Sequence, residues 1–224
     1  MYIGRIMRTD LVTVPPEMPL AEARELIDQK GIEHLLVVNR EGKLVGVVSD
    51  RDIRQNWASS ATTLSSHELN YLLSKVTMAM IMRKKIVTIT PDTTIERAAM
   101  IIQEKRIGSL PVMENDQLVG IITRTDVLKV LLDAIGIAEG SVRFQVLIRD
   151  RLGALAEIAR ILSAEGINIQ SLISWPIDEH PGVFQLVMRV AARDLDAAVK
   201  SLEAGGFAVL TRHVKDLTPY IPKA

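Results

Sequence analysis

The chain has 224 residues, enough for one or two domains, and combines 48% hydrophobic residues with only 4% aromatic ones, which predicts an aliphatic core. Its 27 Lys and Arg balance 27 Asp and Glu, so the basic excess expected of a nucleic-acid binder is missing. Cysteine is absent, which excludes a disulfide framework, a cysteine zinc site and a thiol nucleophile; with no apolar run near membrane-span length and no secretory core at residues 1–5, the reading is a soluble cytoplasmic protein with no membrane partner.

From the N-terminus, Ile6-Met7-Arg8-Thr9-Asp10-Leu11-Val12-Thr13-Val14 returns 75 positions later as Ile81-Met82-Arg83-Lys84-Lys85-Ile86-Val87-Thr88-Ile89. Pro16, Ala23 and Ile32 then match Pro91, Ala98 and Ile107. In the first copy, residues 11–14 read as a short β-branched strand ended by Pro15-Pro16, and Leu20, Ala23 and Ile27 recur at helical spacing behind Pro19, placed in the first turn. The second copy opens that helix with Thr93-x-x-Glu96, the pattern of a capping box. Residues 35–38 form an apolar strand, Arg40-Glu41-Gly42 turns the chain, and residues 44–49 return as the next strand. Each unit is too small to bury its own sheet face, so the two are expected to pack on one another.

Each unit closes on the same motif. Gly46-Val47-Val48-Ser49-Asp50-Arg51-Asp52 matches Gly120-Ile121-Ile122-Thr123-Arg124-Thr125-Asp126, both Gly-x-x-(Ser/Thr)-x-x-Asp, at an offset of 74. One residue is lost in between, at the turn over residues 39–43. An apolar pair followed by a hydroxyl, then a helical run from Asp52 or Asp126, puts hydroxyl and carboxylate at a strand-to-helix junction. Free N–H groups there attract anions, a hydroxyl adds a donor, and an Asp accepts from the two hydroxyls of a ribose. The set suits a nucleotide. The same residues also have a local reading, as a turn glycine and helix caps.

In register, the two units resemble CBS domains, and the tandem pair resembles the Bateman module, over roughly the first three-fifths of the chain. The resemblance implies that Ser49 and Asp52 form one nucleotide site and Thr123 and Asp126 a second, the hydroxyl near phosphate and the Asp on the ribose. It implies that adenine lies on the apolar first strand of a unit, around Val12 or Val87, and that Arg51 sits where the family carries a phosphate-contacting base. The second unit has Thr125 at that position, its arginine displaced to Arg124, so the two sites are not expected to be equivalent.

Between the units, residues 58–63 read as a polar linker, followed by a helix over residues 67–76 with Leu69, Leu72, Leu73 and Val76 on one face. His67-Glu68 starts a zinc-protease pattern, but Tyr71 stands where the second His is required. Arg83-Lys84-Lys85 adds a short basic run able to attract phosphate, with a solvated turn as the plainer reading; Met7 and Met82 read as core.

After residues 136–140 the pattern changes. Val142, Phe144, Val146 and Ile148 alternate with Arg143, Gln145, Leu147 and Arg149, a strand with one buried face. A helix with Leu155, Ile158, Ala159 and Leu162, strands over residues 167–174 and 183–190, a helix with Leu195, Ala198, Val199 and Leu202, and a strand over residues 207–212 complete the order βαββαβ. That order implies an antiparallel sheet with both helices on one face. Asp150-Arg-Leu-Gly153-Ala-Leu155 with Gly166-Ile-Asn168-Ile169 resembles the ACT domain, a regulatory module often selective for amino acids. The resemblance implies a pocket lined by Asp150, Leu152, Gly153 and Ala154 with Asn168 and Ile169; alternatively Gly153 only makes the turn and Asn168 only caps a strand.

The expected organisation is CBS repeat 1 at residues 1–60, linker and helix at 61–77, CBS repeat 2 at 78–136, a ferredoxin-like ACT domain at 141–215 and a C-terminal tail at 216–224. The fold class is α/β and α+β, two βαββα units followed by a βαββαβ domain. The combination resembles the AcuB-type proteins associated by name with acetoin utilization. No Walker loop, nucleophile elbow or His pair at ligand spacing is present, so no catalytic residue, metal site or catalytic cofactor is assigned. Two readings stand: a non-catalytic sensor binding AMP, ADP or ATP at the CBS pair and an amino acid at the ACT domain, or an adaptor with empty clefts that holds a target enzyme. Homodimerisation is expected under both.

Overall fold

The computed structural model describes residues 1–57, 65–137 and 139–222, so the expected linker over residues 58–63 lies outside the described residues. The chain divides into two compact units, residues 1–128 and 129–224.

In the first unit, a 3-10 turn at Ile3–Arg5 leads into β1 (Thr13–Val14), α1 (Leu20–Lys30), β2 (His34–Val38), β3 (Leu44–Ser49) and α2 (Asp50–Gln55). Helix α3 (Ser66–Lys75) follows, then α4 (Met78–Ile81), α5 (Ile95–Lys105), β4 (Ser109–Glu114), β5 (Gln117–Thr123) and the start of α6 (Arg124–Ala134), a helix that continues past the end of this unit at Leu128. Both ends of α5 lie 75 positions beyond those of α1. Strand β1 runs parallel to β2, which pairs antiparallel with β3; β4 and β5 repeat the antiparallel hairpin. Both hairpins slip register at the same place, after Val37 and after Val112, opposite Gly46 and Gly120.

The repeats are completed by exchange. Arg83, leading the second repeat, bridges Val47 on β3 through N–H to O contacts of 2.9 and 3.2 Å. Arg8, leading the first, bridges Ile121 on β5 at 2.9 and 3.0 Å. Each crossing lays a methionine over the other repeat's motif glycine. A Cβ on Gly46 would collide with the Met82 side chain, and one on Gly120 with that of Met7, so both glycines are there for close approach. Met7 and Met82 are half-buried in these seats.

Alternation along β2 and β3 buries Leu35, Val37 and Val48 with Leu20, Ala23 and Ile27 of α1 and Met78 of α4. Each such aliphatic side chain contributes about 1.5–3 kcal/mol by burial. Leu73 of α3 enters the same core with Leu69 and Val76 packed against it, so the intervening helix covers the first repeat. Leu72, expected on that face, is 50% exposed.

Three local expectations change. Thr94, not Thr93, caps α5, accepting from the Arg97 N–H at 3.3 Å, while Thr93 instead accepts from the Thr90 N–H. Pro19 occupies the N-cap of α1 with extended ψ rather than the first turn, because it bridges Thr77. Helices α2 and α6 begin at Asp50 and Arg124, two residues before the motif aspartates.

The second unit holds β6 (Ser141–Arg149), α7 (Ala154–Ala164), β7 (Ser171–Pro176), β8 (Val183–Ala191), α8 (Leu195–Ala204) and β9 (Ala208–Leu210). The sheet order β7-β8-β6-β9, antiparallel throughout, is the ferredoxin-like arrangement expected. Phe144 opposite Met188 and Val146 opposite Leu186 form its core with Ile158 and Leu162 of α7 and Ala198 and Leu202 of α8. Leu147, expected to face outward, is buried with Ile177, Val183 and Leu210, because Val214, Leu217 and Ile221 pack over them. Arg149 Nε donates to the Pro222 carbonyl at 3.0 Å, tying residues near the C-terminus to β6. Strand β7 begins at Ser171, so Asn168 and Ile169 precede it.

Candidate functional site

The motif is first a reciprocal cap. Ser49 is the N-cap of α2: its Oγ accepts from the Asp52 N–H at 3.2 Å, while Asp52 Oδ2 accepts from the Ser49 N–H at 2.9 Å and hydroxyl at 2.5 Å. Thr123 and Asp126 reproduce the set at 3.2, 3.0 and 2.6 Å. The exchanged segments then supply a cation to each aspartate. Arg83 Nη2 lies 3.1 Å from Asp52 Oδ1, and Arg8 Nη2 lies 2.8 Å from Asp126 Oδ1. Each repeat's carboxylate is therefore held by the other repeat's arginine.

Burial pushes both carboxyls up, but the Ser49 hydroxyl and amide with Arg83 outweigh it for Asp52, which stays below the ordinary aspartate range. Asp126 is held low in the same way by Thr123 and Arg8. Both stay ionised at neutral pH, as acceptors of hydrogen bonds.

Asp52 opens onto a cleft of about 650 Å³, within the range of nucleotide-sized sites. Ser49, Arg51 and Val87 line it, together with Arg124 and Thr125 from the start of α6. Val47, Ile86 and Val87 supply apolar wall; Arg83, Lys85 and Arg106 supply charge. Val12, Thr123 and Asp126 are not among its lining residues. The grouping thus crosses the repeats: the first repeat's Ser49 and Asp52 share a cleft with Val87 of the second. Val12 packs instead against the first-repeat core.

His34 also lines the cleft, its ring against Gly108 and its buried Nδ1 without a hydrogen-bond partner among the described residues. Burial holds its pKa below the ordinary histidine value; Glu33 and Asp52 oppose that, and Arg124 and Arg83 add to it. The cleft therefore contains a neutral imidazole at neutral pH. His34, Arg8 and Arg106 were not singled out from sequence as site residues, although the 75-residue register aligns Arg8 with Arg83 and points to their shared role.

In the second unit, Asp150, Leu152, Gly153 and Ala154 lie together along an open hollow at the start of α7. Gly153 caps that helix at φ 84° and Leu152 is fully exposed. Asn168, exposed, and Ile169, packed on the core, do not line the hollow. Among the described residues no cluster of three or more acidic, His or Cys side chains could hold a metal ion, and no helix is long and apolar enough to cross a membrane.

Tandem repeats, βαββα in the first and αββα in the second, where an isolated bridge at Ile89 replaces the expected first strand, exchange their leading segments beside a polar cleft; followed by a ferredoxin-like unit, they define a class of regulatory ligand modules. The CBS domain model matches residues 3–59 and 78–133, half the chain, and the ACT domain model matches residues 142–204. The chain belongs to the CBS-domain family and carries a C-terminal ACT domain.

Homoserine O-acetyltransferase of Methanohalobium evestigatum is 31% identical over 131 residues, 58% of this chain but 24% of that enzyme, so most of the enzyme lies outside the likeness. A Vibrio cholerae structure described as an acetoin utilization protein, AcuB, is 25% identical with a TM-score of 0.50, covering 61% of this chain and 94% of that one. A structure of CBSX2 in complex with AMP is 31% identical, TM-score 0.48, over 59% of this chain and 96% of that one.

Proposed function

We propose that the chain is a non-catalytic sensor whose Ser49–Asp52 cleft binds an adenine nucleotide. The observation that carries this is the state of Asp52: a buried, ionised carboxylate anchored through Oδ2 by Ser49, with Oδ1 turned to Arg83 on the wall of a nucleotide-sized cleft. Oδ1 accepts a ribose hydroxyl, and Arg83, released or shared, turns to phosphate. Val47, Ile86 and Val87 offer the apolar surface an adenine needs. Thr123 and Asp126, with Val12 just before β1, form the second, inequivalent site of the family pattern, while Arg124 belongs to the wall of the first.

An amino acid at the ACT domain, its carboxylate near residues 150–154, is the second ligand we assign, and coupling between the two sites is reciprocal in binding free energy. A homodimer acting on a target enzyme in the cytoplasm completes the reading, and the likeness to AcuB supports acetoin utilization as its setting.

The reciprocal cap favours one rival reading, an adaptor in which Ser49 and Asp52 only begin a helix. Asp52→Asn separates the two, because Asn still accepts from the Ser49 N–H while losing the charge. Calorimetric titration with AMP, ADP and ATP should show affinity falling about 10- to 100-fold in the variant, the loss of one charge-assisted hydrogen bond. Unchanged affinity removes Asp52 from the nucleotide site, and no binding by the unaltered chain supports the adaptor.

A further inference from the structure

We propose that the Ser49–Asp52 cleft is built for a nucleoside polyphosphate, and that Arg106 is the residue that reads phosphate number; this rests on the nucleotide reading above. The chain as a whole is electrically neutral, with 27 basic and 27 acidic residues. The cleft is not. Arg54 is paired with Asp50 and Arg83 with Asp52, which leaves Glu33 as the remaining acid of the lining. Against it stand Arg51, Lys85 and Arg106, none with an ion-pair partner among the described residues, and Arg124, which donates to the Ile107 carbonyl.

The other repeat shows that this charge is not inherited from the fold. In repeat register Arg51 corresponds to Thr125, Lys85 to Asp10 and Arg106 to Gly31. Three cations converge on one cleft where the matching positions carry a hydroxyl, an acid and no side chain.

Arg106 is the most telling of the three. It is the C-cap of α5 at φ 52°, ψ 44°, the left-handed conformation that Gly31 adopts at φ 59°, ψ 38° after α1. Glycine enters that region freely, whereas a side chain raises its free energy. The cap itself uses only the Arg106 backbone N–H, which bonds the Gln103 and Ile102 carbonyls, and glycine would supply that equally. The helix end therefore does not need the side chain, and Arg106 is one of the residues lining the cleft, where a cation has a different task. A planar fork of donors suits phosphate oxygens beyond the one nearest the ribose.

The test is calorimetry on the full chain with AMP, ADP and ATP, in magnesium-free buffer at fixed salt, for the unaltered protein, R106G and R106A. We expect ATP to bind about tenfold or more tighter than AMP, and R106G and R106A each to weaken ATP about fivefold or more while leaving AMP within about twofold. R106G should also melt at a higher temperature than the unaltered protein, and R106A should not, which separates backbone strain from charge. Equal affinity for AMP and ATP, or an ATP-to-AMP ratio unmoved by both variants, overturns the inference while leaving the nucleotide site standing. Absence of binding by all three nucleotides overturns the site as well.

Discussion

Gly46→Ala probes the joint between the repeats. Its backbone needs no left-handed conformation, so alanine fits the chain; what it meets is Met82, whose Sδ, Cγ and Cβ all lie inside normal contact of a Cβ at that position. A methionine tip can rotate away, but Met82 Cβ, at 2.8 Å, is fixed to a backbone paired with Val47 through Arg83. Overpacking of this kind costs about 1–3 kcal/mol. For a unit of 128 residues that lowers the midpoint by roughly 3–15 °C. The assay is thermal and urea unfolding of G46A, M82A and the double variant. Truncating Met82 to alanine removes Sδ and Cγ but keeps Cβ, so the double variant should recover only the part of the cost due to the tip, giving a coupling of about 0.5–1 kcal/mol. A G46A within about 0.5 kcal/mol of the unaltered chain, or strict additivity, refutes the account of why the motif begins with glycine.

Acid should destabilise the first unit in two windows. His34 is held neutral in the folded state below its ordinary 6.5, so stability is complete above 6.5 and declines as pH falls from there through the lowered folded value. Asp52 and Asp126 have folded values below 3.8, so their contribution is complete above 3.8 and is lost as pH falls through those lower values. Urea midpoints against pH should show both steps, and His34→Gln should remove only the upper one. Gly153→Ala forces a side chain into φ 84° and should cost about 1 kcal/mol with no effect on nucleotide affinity; a neutral result in urea unfolding would contradict the need for glycine there.

What the sequence disclosed was whatever repeats or alternates locally. The strand at residues 44–49 matches β3 from end to end, and the order βαββαβ led directly to the 4-1-3-2 style sheet of the second unit. The misreadings share a cause: partners distant in sequence decided them. Thr93 fits a capping box by spacing, yet its carbonyl accepts from Ile3 and its neighbour Thr94 takes the cap. Leu147 alternates outward until Leu217 and Ile221 arrive to cover it. The motif aspartates were visible, and so was Arg83 as part of a basic run, but the pairing of each aspartate with an arginine 31 or 118 positions away was not. The resemblance implied an adenine wall around Val12 or Val87 without assigning either to a site, and the exchange of leading segments hands Val87 to Asp52.

That exchange makes this stretch of chain a covalent dimer of half-modules. Cutting between them would remove one backbone bridge from each hairpin and one arginine from each motif carboxylate, so neither excised half keeps its own set of contacts. Two identical halves meeting as separate molecules would be bound to carry identical clefts. Joining them in one polypeptide frees each half to change alone, and Arg106 opposite Gly31 and Lys85 opposite Asp10 are the marks of that freedom.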